Sequence, residues 1–230
     1  MLSTVDFQGI SKMAQTHEHS SPEQILQFAT TSFPKIILAC SFGPEDIVLV
    51  DLLHKVNPNT DVFYLDTGFH FLETYEVRDI LAAKYNKTFI QVKSNHTPEQ
   101  QANQYGDHLW QKDPNACCAI RKVEPLYEIL HSYDAWITGI RRDQAITRAQ
   151  SKVIEWDRKF NKVKFNPLVR WTSADVWTYI REHQLPYNSL HDKNYPSIGC
   201  THCTRPVIPG EDPRSGRWAG MEKTECGLHK

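Results

Sequence analysis

Four of the six cysteines fall into two tight groups, the adjacent pair Cys117-Cys118 and the C-x-x-C of Cys200-Thr201-His202-Cys203. Four sulfurs in two groups far apart in sequence suggest one site that staples two parts of a fold. Zinc takes four thiolates in a tetrahedral site, and an iron–sulfur cluster is also held by four. Spacing alone leaves both open. Neighbouring side chains diverge, so an adjacent pair chelates one small ion awkwardly, and a larger cluster with separate irons accepts it more easily. Reading Cys117 and Cys118 as small buried hydrophobes explains the pair but not a C-x-x-C flanked by Gly199 and Pro206. Cys40 lies within an apolar run and reads as core. Cys226 sits in a polar C-terminal stretch, Glu225-Cys226-Gly227-Leu228-His229, where a mobile nucleophile could be carried. Lys223, His229 and Lys230 close by would favour its thiolate.

A second set of residues is suited to a nucleotide. Ser41-Phe42-Gly43-Pro44-Glu45-Asp46 follows a short apolar run, Leu65-Asp66-Thr67-Gly68 ends another, and Thr138-Gly139 ends a third. Ligands of open α/β sheets bind at the carboxyl ends of strands, and helix N-termini there attract phosphate. A tight turn with Pro44 at the first helical position would explain the first segment alone. Three such ends together point to a pocket. Arg121 and Lys122 follow the cysteine pair, Arg205, Arg214 and Arg217 follow the C-x-x-C, and Arg141, Arg142 and Arg148 follow the third segment. Each alone reads as a solvated charge. Together they suit phosphate or sulfate, which guanidinium forks bind well.

The elements that would position these residues alternate. Strands are expected at Lys35–Ser41, Asp61–Asp66, Thr88–Val92 and Ala135–Gly139, with Val163-Lys164-Phe165 leading out of the pattern. Helices are expected to start at Ser21-Pro22-Glu23-Gln24 and to cover Pro44–Val56, Phe69–Asn86, residues 116–131 and Ser173–His183, the last capped by Ser173. Such alternation argues for a mostly parallel α/β sheet. From Gln184 onward Pro, Gly and charge predominate, so loops and a tail are expected. The 230 residues suffice for a full core, and the net charge of −1 gives no reason to expect nucleic acid or an anionic membrane as partner. No apolar run approaches the roughly 20 residues that cross a bilayer. Met1 to Ser20 lacks the pattern of a signal peptide, so a cytoplasmic location with reduced thiols is expected.

These segments together resemble one family, the thioredoxin-dependent assimilatory adenylyl-sulfate reductases and their phosphoadenylyl-sulfate relatives. The matching residues are Ser41-Phe42-Gly43 with Glu45-Asp46; Leu65-Asp66-Thr67-Gly68 with Glu73-Thr74-Tyr75; and Cys117-Cys118 with Ile120 to Leu126. They continue through Thr138-Gly139 with Arg141 to Gln144 and Thr147-Arg148, Gly199 to Pro206, Gly210 to Trp218, and Glu225 to His229. ATP pyrophosphatases carry a related Ser-Gly-Gly-x-Asp-Ser loop, which Phe42 and Pro44 break here.

The resemblance implies a single Rossmann-like, adenine nucleotide alpha hydrolase-like domain over residues 1–208, with a flexible catalytic tail over 209–230. It implies a 4Fe–4S cluster on Cys117, Cys118, Cys200 and Cys203, and Cys226 as the nucleophile. It places the adenylate along Ser41, Phe42, Gly43, Leu65, Asp66, Thr67, Gly68 and Gly139, and the phosphosulfate among Lys122, Arg148, Arg214, Arg217 and His229. The implied reaction is reduction of adenylyl sulfate to sulfite and AMP, with thioredoxin or glutaredoxin as reductant, in a homo-oligomer. Relatives restricted to the 3′-phosphorylated nucleotide typically lack the four cysteines, so adenylyl sulfate is the expected substrate, with dual use as one alternative. Another is a nucleotide sensor carrying structural zinc, which leaves Cys226 idle.

Overall fold

The computed structural model describes residues 6–228. Two N-terminal helices, α1 (Phe7–His17) and α2 (Pro22–Ser32), precede the sheet. Helix α2 starts where the sequence places it. The Ser21 hydroxyl accepts from Gln24 N and the Gln24 side chain accepts from Ser21 N, a reciprocal capping box with Pro22 at the first position.

Then come β1 (Ile36–Ala39), α3 (Pro44–Val56), β2 (Asp61–Asp66), α4 (Leu72–Tyr85), β3 (Ile90–Lys93), α5 (Pro98–Tyr105), α6 (Leu109–Lys112), α7 (Pro114–Cys118) and α8 (Glu124–Leu130). The chain ends through β4 (Ala135–Ile137), β5 (Ile154–Asp157), β6 (Lys162–Phe165) and α9 (Ser173–Glu182). The strand order is β3-β2-β1-β4-β6-β5. The pairs β1–β2, β1–β4 and β4–β6 are parallel and β5–β6 is antiparallel, so the α/β class and mostly parallel sheet are as expected. Parallel strands covered on both faces read as unbroken apolar runs. Accordingly Ile36, Ile37, Leu38, Ala135, Trp136 and Ile137 are all buried.

Three details differ from the sequence reading. Helix α9 is capped by Thr172, not Ser173: the Thr172 hydroxyl accepts from Asp175 N and the Asp175 carboxylate answers at Thr172 N. The edge strand β5 was not expected. It is short and turns back through Asn161 at φ +52°, and Ile154 pairs with Phe165 in register. Helix α5 was also missed, although Thr97-Pro98-Glu99-Gln100 spells the same capping box as α2.

By their contacts the residues form two compact units. One comprises the chain up to Cys40, Pro44–Phe63 and Leu130–Leu185; the other comprises Ser41–Gly43, Tyr64–Ile129 and the stretch from Pro186 onward. In the first unit the strand order reverses at β1 and β4, and the carboxyl ends of these strands mark the topological switch where such sheets take ligands. There Gly139 has no room for a side chain, because a Cβ would collide with the Asp46 carboxylate and lie 2.9 Å from Glu45 Cβ at the start of α3. Helices α3 and α9 are tied by polar bonds. Tyr179 OH donates to Asp51 Oδ2 at 2.7 Å and accepts from Lys55 Nζ at 2.9 Å, and Lys55 pairs with Asp51. Tyr179→Phe should lower stability by about 1–2 kcal/mol, read by urea denaturation. A loss below the error of that measurement would mean these bonds add nothing.

Candidate active site

All four clustered cysteines lie in the second unit, together with the residues that shape their surroundings. Cys117 and Cys118 end α7, whose first turn is capped by Asp113. A π-helical turn, Ala119–Val123, follows and leads into α8. Such turns are rare and gather at functional sites. Here the turn carries Arg121, buried, and Lys122, half-buried. The C-x-x-C forms a short 3₁₀ turn, Thr201–Cys203, held from both sides by backbone. Thr201 N donates to Phe69 O at 2.8 Å just beyond β2, and Trp218 N donates to Cys203 O at 3.1 Å. At Gly199 the Arg217 guanidinium lies directly across the backbone, so a Cβ there would push it aside. Arg217 in turn donates to Ser197 Oγ and Ile198 O at 3.3 Å and stacks 4.5 Å from the Trp218 ring.

The four thiols act on one another. Burial, then the charges of Cys118 and Cys200, push Cys117 up to about 11; burial, then Cys200 and Cys118, push Cys203 up to about 11. Side chains reach the sulfurs: Thr67 Oγ1 lies 3.4 Å from Cys200 Sγ, and Gln101 Nε2 from α5 lies 3.8 Å from Cys117 Sγ. Among the described residues no group of three or more His, Cys, Asp or Glu side chains is disposed to hold a metal ion as it stands. The sulfurs therefore act on one another electrostatically without closing round a single ion as they stand.

Two cations face this sulfur-rich site. Arg121 is 3 % exposed. Its Nε donates to Gln101 Oε1 at 2.7 Å, its Nη1 to His96 O at 3.0 Å, and its Nη2 is buried without a partner. Among the described residues no carboxylate pairs with it; burial lowers its pKa, and Cys117 and Cys200 are the groups that work against that. Lys122 loses by burial too, but Cys200, Cys226 and Cys118 outweigh this and raise its pKa. Buried charge needs a counter-charge. Two cations among four sulfurs therefore fit an anionic thiolate-bound group, and the orphaned Arg121 Nη2 fits a missing acceptor.

The remaining expected site residues divide as follows. In the second unit, Ser41 is exposed, Gly43 and Leu65 are half-buried, Thr67 is buried and Gly68 exposed. Phe42 adopts φ +60°, sparsely populated for a non-glycine residue. The residue is 3 % exposed, and its ring packs 5.4 Å from Tyr64 and 5.3 Å from Phe89. Asp66 is engaged within the protein: it accepts from Tyr75 OH at 2.7 Å, Gln91 Nε2 at 2.5 Å and Gly68 N at 3.0 Å. Gly139 and Arg148 belong to the first unit. There Arg148 is buried and its Nη1 donates to Gln144 Oε1 at 2.6 Å, which also accepts from Arg141 N. His229 lies outside the described residues, as does Lys230. Lys223, expected to favour the Cys226 thiolate, instead donates to Pro114 O and Asn115 Oδ1, each at 2.9 Å. The tail is irregular yet anchored, with Trp218, Lys223 and Glu225 buried. Gln101 was not singled out from sequence, although the capping box ahead of α5 was an available signal; Glu225 was named only as part of the segment around Cys226, with no role of its own.

Burial opposes ionisation of Asp66, but its three hydrogen bonds prevail and hold its carboxyl below the usual range. A lowered folded value contributes stability above the unfolded pKa of about 3.9, and that contribution is lost as pH falls through the lower folded value. Asp66→Asn should cost about 1–3 kcal/mol at pH 7 and flatten the loss of stability in acid. Thermal melts from pH 7 to pH 3 with parallel pH dependences for both chains would refute this.

Residues 35–206 match the phosphoadenosine phosphosulfate reductase domain family. The adenosine 5′-phosphosulfate reductase of Halalkalibacterium halodurans is 48% identical over 223 residues, covering 96% of each chain. The phosphoadenosine 5′-phosphosulfate reductase of Gloeobacter violaceus is also 48% identical, covering 98% of this chain and 95% of its own. A crystal structure of phosphoadenylyl-sulfate reductase from Candida auris superposes with a TM-score of 0.79 at 32% identity, covering 88% of this chain and 99% of that one. FMN adenylyltransferase of Candida glabrata shares the fold alone, at a TM-score of 0.60 and 16% identity. With three quarters of its length matched and relatives alike from end to end, the chain belongs to the phosphoadenosine phosphosulfate reductase family.

Proposed function

We propose that this chain reduces adenylyl sulfate to sulfite and AMP, using thioredoxin or glutaredoxin as reductant, through an S-sulfonate on Cys226. The observation that carries the reading is Lys122: a half-buried ammonium whose pKa is raised by Cys200, Cys226 and Cys118, so its charge is favoured by the tail cysteine as well as by two of the clustered ones. In this reading Lys122, Arg214 and Arg217 neutralise the phosphosulfate, so an anionic sulfur can approach an anionic substrate. The Cys226 thiolate attacks the sulfate sulfur, the S–O bond to the phosphate breaks, and AMP leaves with the electron pair. A thiolate of the reductant then attacks Cys226 Sγ and expels sulfite. Its second thiol resolves the mixed disulfide, so the two electrons come from the dithiol.

Cys117, Cys118, Cys200 and Cys203 would hold a 4Fe–4S cluster; when bound it supplies negative charge and a fixed anchor beside Lys122. Arg121 balances that charge, and Gln101 and Thr67 reach the sulfurs from α5 and the end of β2. Family relatives carry names for both sulfonucleotides. The preference for adenylyl sulfate rests on the presence of all four cysteines.

The test is one sample, purified without oxygen, assayed for iron and sulfide and for thioredoxin-dependent sulfite release from each nucleotide. Iron and sulfide at about four each per chain, with sulfite from adenylyl sulfate, is the expected result. Equal rates with the 3′-phosphorylated nucleotide would make it a dual-substrate enzyme. Zinc in place of iron and no sulfite from either nucleotide would favour a nucleotide sensor.

A further inference from the structure

Glu225 immediately precedes Cys226, yet its carboxylate is only 3 % exposed. It accepts from Arg214 Nη2 at 3.3 Å, and the same nitrogen donates to Thr224 O at 3.1 Å. A buried carboxylate is tolerated only with a cation or donors against it. Two residues earlier the tail has a second anchor of another kind. Lys223 Nζ donates to two neutral oxygens, Pro114 O and Asn115 Oδ1, at the start of α7, the helix that ends in Cys117 and Cys118. An incoming anion competes directly with Glu225 for a guanidinium. It has no carboxylate to displace at Lys223. Of the two anchors, the Arg214–Glu225 pair is the one in which a protein carboxylate stands where an anionic ligand would.

We propose that the Glu225 carboxylate occupies Arg214 in place of the anionic end of the substrate, and that the nucleotide displaces it. Displacement removes the Arg214 hold on the Thr224–Cys226 stretch while Lys223 keeps the tail tethered to α7. The nucleophile is thereby released only when there is an anion for it to act on. This rests on the reading above that Arg214 meets the phosphosulfate, and the test separates the two.

Adenosine diphosphate is the probe: it puts a second anionic group where the sulfuryl group would sit and offers no sulfur to attack. Adenosine is the uncharged control. Affinities for both are measured calorimetrically on the reduced full chain, and Cys226 alkylation by iodoacetamide is followed by peptide mass spectrometry. Glu225→Gln removes the competing charge and should bind adenosine diphosphate about five- to tenfold tighter, with adenosine unchanged. Its Cys226 should alkylate several-fold faster without ligand. Glu225→Asp, which keeps the charge, should bind adenosine diphosphate near the wild-type affinity; if Asp and Gln behave alike, the charge is not what competes and the proposal fails. Arg214→Gln should weaken the diphosphate and spare adenosine. If it does so while Glu225→Gln binds no tighter than wild type, the displacement is wrong and the substrate reading stands. If Arg214→Gln leaves the diphosphate unaffected, Arg214 does not meet the anion and both fall.

Discussion

Replacing Cys226 by serine should abolish turnover while leaving nucleotide binding intact. The substitution exchanges one sulfur for oxygen at a half-buried tail position, so AMP affinity should stay within about twofold. A serine hydroxyl is a far poorer nucleophile than a thiolate and cannot form the disulfide that the reductant resolves. Sulfite release should therefore fall about a thousandfold or more, and labelled sulfate should no longer be retained on the chain. Residual sulfite release within tenfold of wild type would move the nucleophile elsewhere. Cys40 is the poorest alternative, because it is buried in the core at the end of β1.

The second large effect concerns the sulfur-rich site. Cys203→Ala should release the iron and destabilise the fold by about 3–5 kcal/mol. The reason is electrostatic: among the described residues the buried Arg121 guanidinium has no carboxylate partner, and its own Nη2 lacks an acceptor. Without an anionic group on the sulfurs that charge is stranded. Cys40→Ala is the contrast. It removes one sulfur from apolar packing, should cost about 1–2 kcal/mol, and should keep its iron. Iron assays with urea denaturation on the two variants give the comparison. Equal iron content would contradict the assignment of Cys203 as a ligand.

Much of the frame was readable because parallel strands and their crossovers write strong signals. The run Ile36-Ile37-Leu38 between Pro34 and Gly43, and Asp61–Asp66 before Thr67-Gly68, gave strands close to those observed. Helix α3 matched residue for residue, with Pro44 marking its start. Strand β5 escaped because an edge strand of Ile154-Glu155-Trp156-Asp157 is short and charged. Its place comes from tertiary pairing with β6 and the T-shaped packing of Phe7 on Trp156.

The site was legible in kind more than in arrangement. Cysteine spacing marked the sulfur site, because C-x-x-C in a loop has few other uses. It could not show that Arg121 turns inward while Lys122 stays half-buried, since that follows from the π turn after Cys118. Nor could residue type show that Phe42 lends its ring to the core, or that Asp66 is consumed by Tyr75, Gln91 and Gly68. The tail was read as loose from its Pro, Gly and charge. Its anchors, Lys223 and Glu225, are charged residues of that stretch, and residue type does not show that they turn inward.

The central claim is that Cys226 carries the sulfonate. Reduced protein is mixed with adenylyl sulfate in the absence of any other thiol, quenched in acid, digested and weighed. The account predicts that the peptide bearing Cys226 gains one SO₃ group, in an amount equal to the AMP released, and that adding thioredoxin removes it as sulfite. AMP released with the Cys226 peptide unmodified, or the added mass on another cysteine, would contradict it.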